Sequence, residues 1–248
     1  MTRLRIDTLT IVFFALLYPS SLCCQGAAAP PVQTSFPEYV EEFFLSDAVR
    51  NQNKGELQVT VGVDSQRNIG TSGNLKLEYG LTRRLQFGFE QSYGNADEQL
   101  PRASSQWGPA SAGMQYQICS SSTSALSVGF AFGIPSDAES EIEFQPTILA
   151  ARTFRRAQIH ASFGTGLGKE RPSFQYNLAS VFPVHPGWYP TLEFNGRSIA
   201  DRNAFYLTPG VYHRIGQRFE LGIGTPFGLS GTAGTAGIVA KIIFETGR

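Results

Sequence analysis

His160-Ala161-Ser162 sets a base two residues from a nucleophile. In an extended strand those two side chains share a face, which a hydrolase needs of its base and nucleophile. The segment Asn195-Gly196-Arg197-Ser198 has no His-x-Ser before it. His185 falls in a proline-rich turn and His213 near another turn. Neither has a carboxylate at metal-ligand spacing. Gly164-Thr165-Gly166-Leu167-Gly168 has the glycines of a phosphate loop. The helix whose N-terminus would hold the anion is missing, because Lys169-Glu170-Arg171-Pro172 follows and then another strand. The motifs therefore assign no catalytic, cofactor-binding or metal-binding residue. No cofactor is expected, and the chain does not read as an enzyme.

The charged residues are more informative. Lys76, Glu78, Glu90, Glu143, His160, Glu193, Glu220 and Lys241 all occupy the polar face of segments in which apolar and polar residues alternate. Period-two alternation marks strands with one apolar face. Leu57, Val59, Val61 and Val63 alternate with Gln58, Thr60, Gly62 and Asp64, and the pattern recurs along most of the chain. It predicts about twelve strands, over 56–64, 74–82, 85–94, 109–119, 124–134, 142–153, 157–167, 173–183, 189–197, 203–213, 218–226 and 236–244. Short and long connections take turns between them. Pro146 and Pro209 fall inside two of these strands. Proline cannot donate to a ladder, so bulges are expected there.

The polar face is mainly Gly, Ser, Thr and Gln, with few charges. A water-soluble sandwich would carry many Lys and Glu on that face, whereas a crowded lumen calls for small polar groups. The apolar face carries aromatics in nearly every strand. Charged residues are 16%, hydrophobic 42% and aromatic 12% of the 248 residues, and the net charge is zero. This balance argues against a nucleic-acid partner and against disorder. Ten residues at roughly 3.3 Å each, tilted by about 40°, cross the apolar band of a membrane barrel. The fold expected is all-β, an antiparallel transmembrane β-barrel of about 12 strands preceded by a short N-terminal helix. Charges on its polar face then line the lumen, because a Lys or Arg facing lipid near the midplane costs about 2–4 kcal/mol. Trp107, Trp188, Tyr189, Tyr93 and Tyr116 lie near strand ends, at the level of an aromatic girdle.

Three segments follow. Residues 1–29 read as a signal peptide, with Arg3 and Arg5 before an apolar run too short to span a bilayer and then Gly26-Ala27-Ala28-Ala29. Cleavage there leaves only Cys119, so no internal disulfide can form. Residues 30–54 form a periplasmic leader. In it Ser35 and Glu38 have capping-box spacing, and Tyr39, Val40, Phe43, Phe44 and Ala48 recur at helical spacing. Such a helix lies on the periplasmic rim or plugs the lumen, and a flexible tether is the other reading. Residues 55–248 form the barrel, with both termini on the periplasmic side.

Four stretches resemble a known family: Phe43 to Asp64, Tyr79 to Glu90, Leu192 to Ser198, and Leu207 to Gly228. They are similar to bacterial outer-membrane barrels of the putative MetA-pathway of phenol degradation family and its uncharacterised relatives. The resemblance implies a Gram-negative outer-membrane location and passage of small or apolar compounds, and it brings no catalytic residues. His160-Ala161-Ser162 also resembles the His-x-Ser pair of outer-membrane phospholipases. Here both residues fall on the lumen face rather than toward lipid, and Phe163 stands where those enzymes often place Asn. The expected function is a channel or transporter for small molecules, with outer-membrane lipid around it and the barrel-assembly machinery as its insertion partner. A non-conducting structural or interaction barrel is the alternative, and a lipid-modifying enzyme the third reading.

Overall fold

The computed structural model describes residues 39–67, 70–94, 107–135, 141–155, 157–168, 172–199, 202–230 and 236–246. Residues 1–29, expected to be a signal peptide, lie outside them. Thirteen extended elements follow in order: β1 (Leu57–Gln66), β2 (Gly70–Gly80), β3 (Leu85–Gly94), β4 (Trp107–Ser120), β5 (Ser124–Ile134), β6 (Glu143–Phe154), β7 (Ala157–Gly166), β8 (Ser173–Val181), β9 (Trp188–Ile199), β10 (Arg202–Ile215), β11 (Phe219–Gly224), β12 (Phe227–Gly228) and β13 (Gly237–Thr246). Successive strands pair antiparallel, and β1 pairs β13 from Leu57↔Thr246 to Gln66↔Gly237. That last pairing closes the sheet into a barrel.

β11 and β12 are two pieces of one strand, so twelve strands make the wall. Both face β10 in one register, Gly210↔Gly224 continuing as Leu207↔Phe227. The break between them is chemical. Thr225-Pro226 lies opposite Thr208-Pro209, and neither proline has an N–H to give. Thr225 still donates to the Pro209 carbonyl at 2.9 Å. Pro146 lies at a similar place. The β6–β7 ladder ends at Thr147↔Gly164 and resumes, unshifted, as the Phe144↔Leu167 bridge. The bulges expected at these prolines are therefore not there. The register shifts lie elsewhere, between Gln91 and Tyr93 and between Gln117 and Cys119. β2 begins four residues before its predicted start, because the outward positions Thr71 and Gly73 are not apolar and hide the period.

The burial pattern is that of a soluble protein turned inside out. Gln58, Thr60, Ser127, Gln158, Glu193 and Glu220 are buried, while Val61, Val63, Phe87, Phe130, Leu221 and Ile242 are exposed. An apolar outer face with a polar interior is stable only where lipid replaces water. Trp107, Trp188, Tyr93 and Tyr116 are exposed near strand ends, as a girdle requires. Tyr189 departs from that expectation. It is half-buried, stacks on Tyr39 at 6.2 Å and lies under the Arg214 guanidinium.

The leader also differs from its predicted form. Residues 30–38 of the expected helix lie outside the described residues, and residues 39–56 run as bends and turns with no helix. Their apolar residues nonetheless pack on the barrel wall, Val40, Phe43 and Phe44 in one cluster and Val49 against Ala125, Leu149 and Ala151 in another.

Val61 stands mid-strand on the outer face, level with Ile242. Val61→Arg should destabilise the barrel in lipid vesicles by about 2–4 kcal/mol, measured by denaturant titration with heat-modifiable gel migration. An unchanged midpoint would mean that this face does not meet hydrocarbon.

Candidate functional site

The lumen is the candidate site, and residues 39–56 cross it. The segment enters beside β9–β11, crosses to β4–β5 and returns along β2–β3 to enter β1. The wall positions it meets run from the short turns, as at Gln86 and Ser127, to mid-strand, as at Glu193 and Lys241. Having no secondary structure, the segment leaves its amides in need of acceptors, and the barrel wall supplies them. The Phe44 and Leu45 amides donate to the two Glu193 carboxylate oxygens, at 2.7 and 3.0 Å. The Glu41 amide donates to Glu220 at 3.3 Å. In the other direction Lys241 donates to the Phe43 carbonyl, and Ser127 donates to the Val49 carbonyl at 2.6 Å.

Charges on the leader meet opposite charges on the wall. Lys76 lies 2.8 Å from Glu42, 2.7 Å from Asp47 and 3.3 Å from Glu78. Arg214 bridges Glu41 at 2.7 Å and Glu220 at 3.2 Å, and Lys241 stands 3.6 Å from Glu42. Lys76 beside Asp47, an exposed side chain, holds that carboxyl below its ordinary value. Burial pushes the Glu42 carboxyl upward most strongly, but Lys241 and Lys76 together overcome it, so Glu42 also stays ionised. Breaking such a pair on one side leaves a buried charge uncompensated.

Amide side chains extend the seal. The Gln52 backbone amide donates to Gln86, whose side chain donates to Glu78 at 2.6 Å. Gln58 also donates to Glu78, at 3.0 Å. Gln115 donates to Asn51 at 2.8 Å. Between these polar contacts lies an apolar cluster of Val40, Phe43, Phe44, Tyr212, Val239 and Ile243. Phe44 stacks on Tyr212 with ring centroids 4.5 Å apart. Its seat exists because β10 and β11 carry glycine there: a Cβ at Gly210 would run into the Phe44 ring, and one at Gly222 into Tyr212.

The eight charged and histidine positions singled out in the sequence divide into two groups. Lys76, Glu78, Glu193, Glu220 and Lys241 converge on the leader, and His160 lies beside it, edge-on to Phe43 at 4.6 Å. Glu90 and Glu143 are held by the wall instead: Glu90 stands level with Lys76 as its register partner, and Glu143 opens β6 at the long-loop end. Asn74 donates to Glu90 at 2.8 Å, while Ser173 and Gln145 donate to Glu143 at 3.1 and 2.9 Å. His160 bonds Gln158 at 2.8 Å, whereas Ser162 accepts from Asn177 at 2.8 Å. The His-x-Ser pair is therefore split between two partners and does not form a nucleophile–base contact.

The sequence reading missed Glu41, Glu42, Asp47 and Arg214 as site residues. Their one visible signal was the pairing Glu41-Glu42 directly before Phe43-Phe44, too acidic for the buried side of a helix and too apolar for a tether.

No family model matches the chain, and no curated protein does. Solved structures match its fold. The COG4313 outer membrane channel from Pseudomonas putida F1 superimposes with a TM-score of 0.62 at 13% identity, covering 80% of this chain and 98% of that one. The KdgM porin gives 0.60 at 7% identity, with 77% and 99% covered. The NanC porin gives 0.57 at 9%, again with 77% and 99% covered. At these identities the likeness establishes an outer-membrane porin-like barrel fold, and it spans almost the whole of each relative.

Glu193→Ala removes the acceptor of two buried amides, a loss of about 1–3 kcal/mol. Hydrogen exchange in the peptide covering 39–56 should then speed roughly 5- to 150-fold, with the barrel strands unchanged. Unaltered exchange would mean that Glu193 does not hold the leader.

Proposed function

We propose that this protein is an outer-membrane channel for small molecules, closed by its own leader. One observation carries the reading: the obstruction is a non-covalent segment outside the sheet. Residues 39–56 contribute no ladder partner to the wall, apart from turn contacts of Gly55 and Glu56 with Gly80. A segment attached by salt bridges and side-chain hydrogen bonds can leave without breaking the barrel.

Small apolar or aromatic solutes fit this reading better than sugars or ions alone. Withdrawal of Phe43 and Phe44 would bare Ala179, Val181, Tyr212, Val239 and Ile243, an apolar strip on an otherwise polar wall. The family resemblance of the sequence points the same way. Against this stands the second reading, a non-conducting interaction barrel, which the sealing ion pairs of Lys76, Lys241 and Arg214 favour. The split of His160 from Ser162 weakens the enzymatic reading, which would require Ser162→Ala to abolish a lipid hydrolase activity.

Planar-bilayer conductance separates the first two. The mature chain should give small or rare openings. Deletion of residues 39–52 should give steady steps several-fold larger, and Gly210→Val, which displaces Phe44 without shortening the chain, should raise the open fraction. Silence from both variants, with folding verified by heat-modifiable migration, would overturn the channel in favour of the interaction barrel.

A further inference from the structure

Three hairpins at the short-turn end share a sequence signature at four-strand intervals. Arg84-Leu85-Gln86 leads into β3, Arg156-Ala157-Gln158 into β7 and Arg218-Phe219-Glu220 into β11. Two residues after each arginine comes a side chain buried in the lumen: Gln86, Gln158 and Glu220. In the strand order β3, β7 and β11 are four strands apart, which places the hairpins about a third of the circumference from one another. The turns also carry Arg83 and Arg155. Arg83, Arg84, Arg155 and Arg218 are exposed, as is Lys54 just before β1. None of these five forms an ion pair with another described residue.

The carboxylates at this end turn the other way. Glu41, Glu42, Glu56, Glu220 and Glu245 are buried within the barrel, and Asp47 is taken by Lys76. Among the described residues the exposed rim is thus left cationic, although the whole chain is neutral. It borders the apolar outer face directly: Leu81, Phe154, Ile215 and Phe219 are exposed within a few residues of the arginines. Arg152, one strand position inside the rim, lies 5.3 Å from the Phe154 ring centroid.

We propose that this rim is a docking surface for the anionic phospholipid headgroups of the leaflet at the short-turn end. The three arginine hairpins serve as separate phosphate contacts. The planar guanidinium fork matches a phosphate diester, and basic residues beside a membrane gather anionic lipid. Lipid is favoured over a soluble anion by depth, because the cations stand where the apolar band ends and the headgroups begin. The inference rests on the membrane reading of the barrel.

The test uses the full mature chain, refolded into vesicles of phosphatidylcholine alone or with phosphatidylglycerol, then extracted gently and examined by native mass spectrometry. Heat-modifiable migration reports insertion in both vesicle types, so failure of the membrane reading shows as failure to insert in either. The inserted wild type should retain phosphatidylglycerol several-fold above its share of the vesicle. That enrichment should fall in molar salt, where screening shortens to about 3 Å. The R83Q/R84Q/R155Q/R218Q variant should insert and retain lipid at the bulk ratio. If it fails to insert, R155Q/R218Q, which leaves the first hairpin intact, should lose a share of the enrichment. An inserted wild type without preference, a variant that keeps it, or displacement of the lipid by millimolar inorganic phosphate would each overturn the proposal.

Discussion

In hydrocarbon no backbone N–H or C=O can turn to water, so the chain must satisfy every one of them itself. A sheet meets this demand only by having no edge. The ten-pair ladder between β1 and β13 therefore governs everything else. Once the sheet closes, its two faces have fixed and opposite neighbours. Val61 and Ile242 must be apolar because they look out, and Thr60 and Lys241 are free to be polar because they look in. The prolines obey the same rule. Pro209 and Pro226 come opposite one another's pair, so the missing donors fall at one interruption and the register on both sides is kept.

Closure creates a second problem inside. Wall carboxylates such as Glu193 and Glu220 lie away from bulk water and call for donors, while an irregular leader has amides that call for acceptors. Each supplies what the other lacks. The result is a tight, non-covalent seal: backbone amides on carboxylates, lysine and arginine on acids, and two phenylalanines set against Tyr212, Val239 and Ile243. The same arrangement draws Glu41, Glu42, Glu56, Glu220 and Glu245 inward, so among the described residues the exposed turns are left with arginine.

The barrel was legible because lipid imposes a strict period of two, and outward runs such as Phe219, Leu221 and Ile223 show it plainly. Strand existence followed almost everywhere. Strand limits slipped where outward positions were small or polar, as at Thr71 and Gly73. The inward charges could be placed on the lumen face from parity alone. Which of them would meet was not legible, since Lys76 and Glu42 are 34 residues apart and no local pattern joins them. The leader misled for a related reason. Tyr39, Val40, Phe43 and Phe44 have helical spacing, but their conformation is set by the wall they pack on rather than by their own periodicity.

The leader joins β1 through a turn pinned to β2: Gly55 donates to the Gly80 carbonyl at 2.8 Å, and Gly80 donates back to Glu56 at 3.0 Å. It is thus fastened at the seam where the first and last strands meet. During biogenesis, the zipping of β13 onto β1 encloses a chamber whose contents hang from one of the two closing strands. The segment must already lie on the inner side when the seam shuts, or else be threaded in afterwards through an open mouth. In the finished barrel its anchored end cannot lead an exit. If the segment leaves as proposed, release would have to start from the Glu41–Arg214 side and run toward the seam.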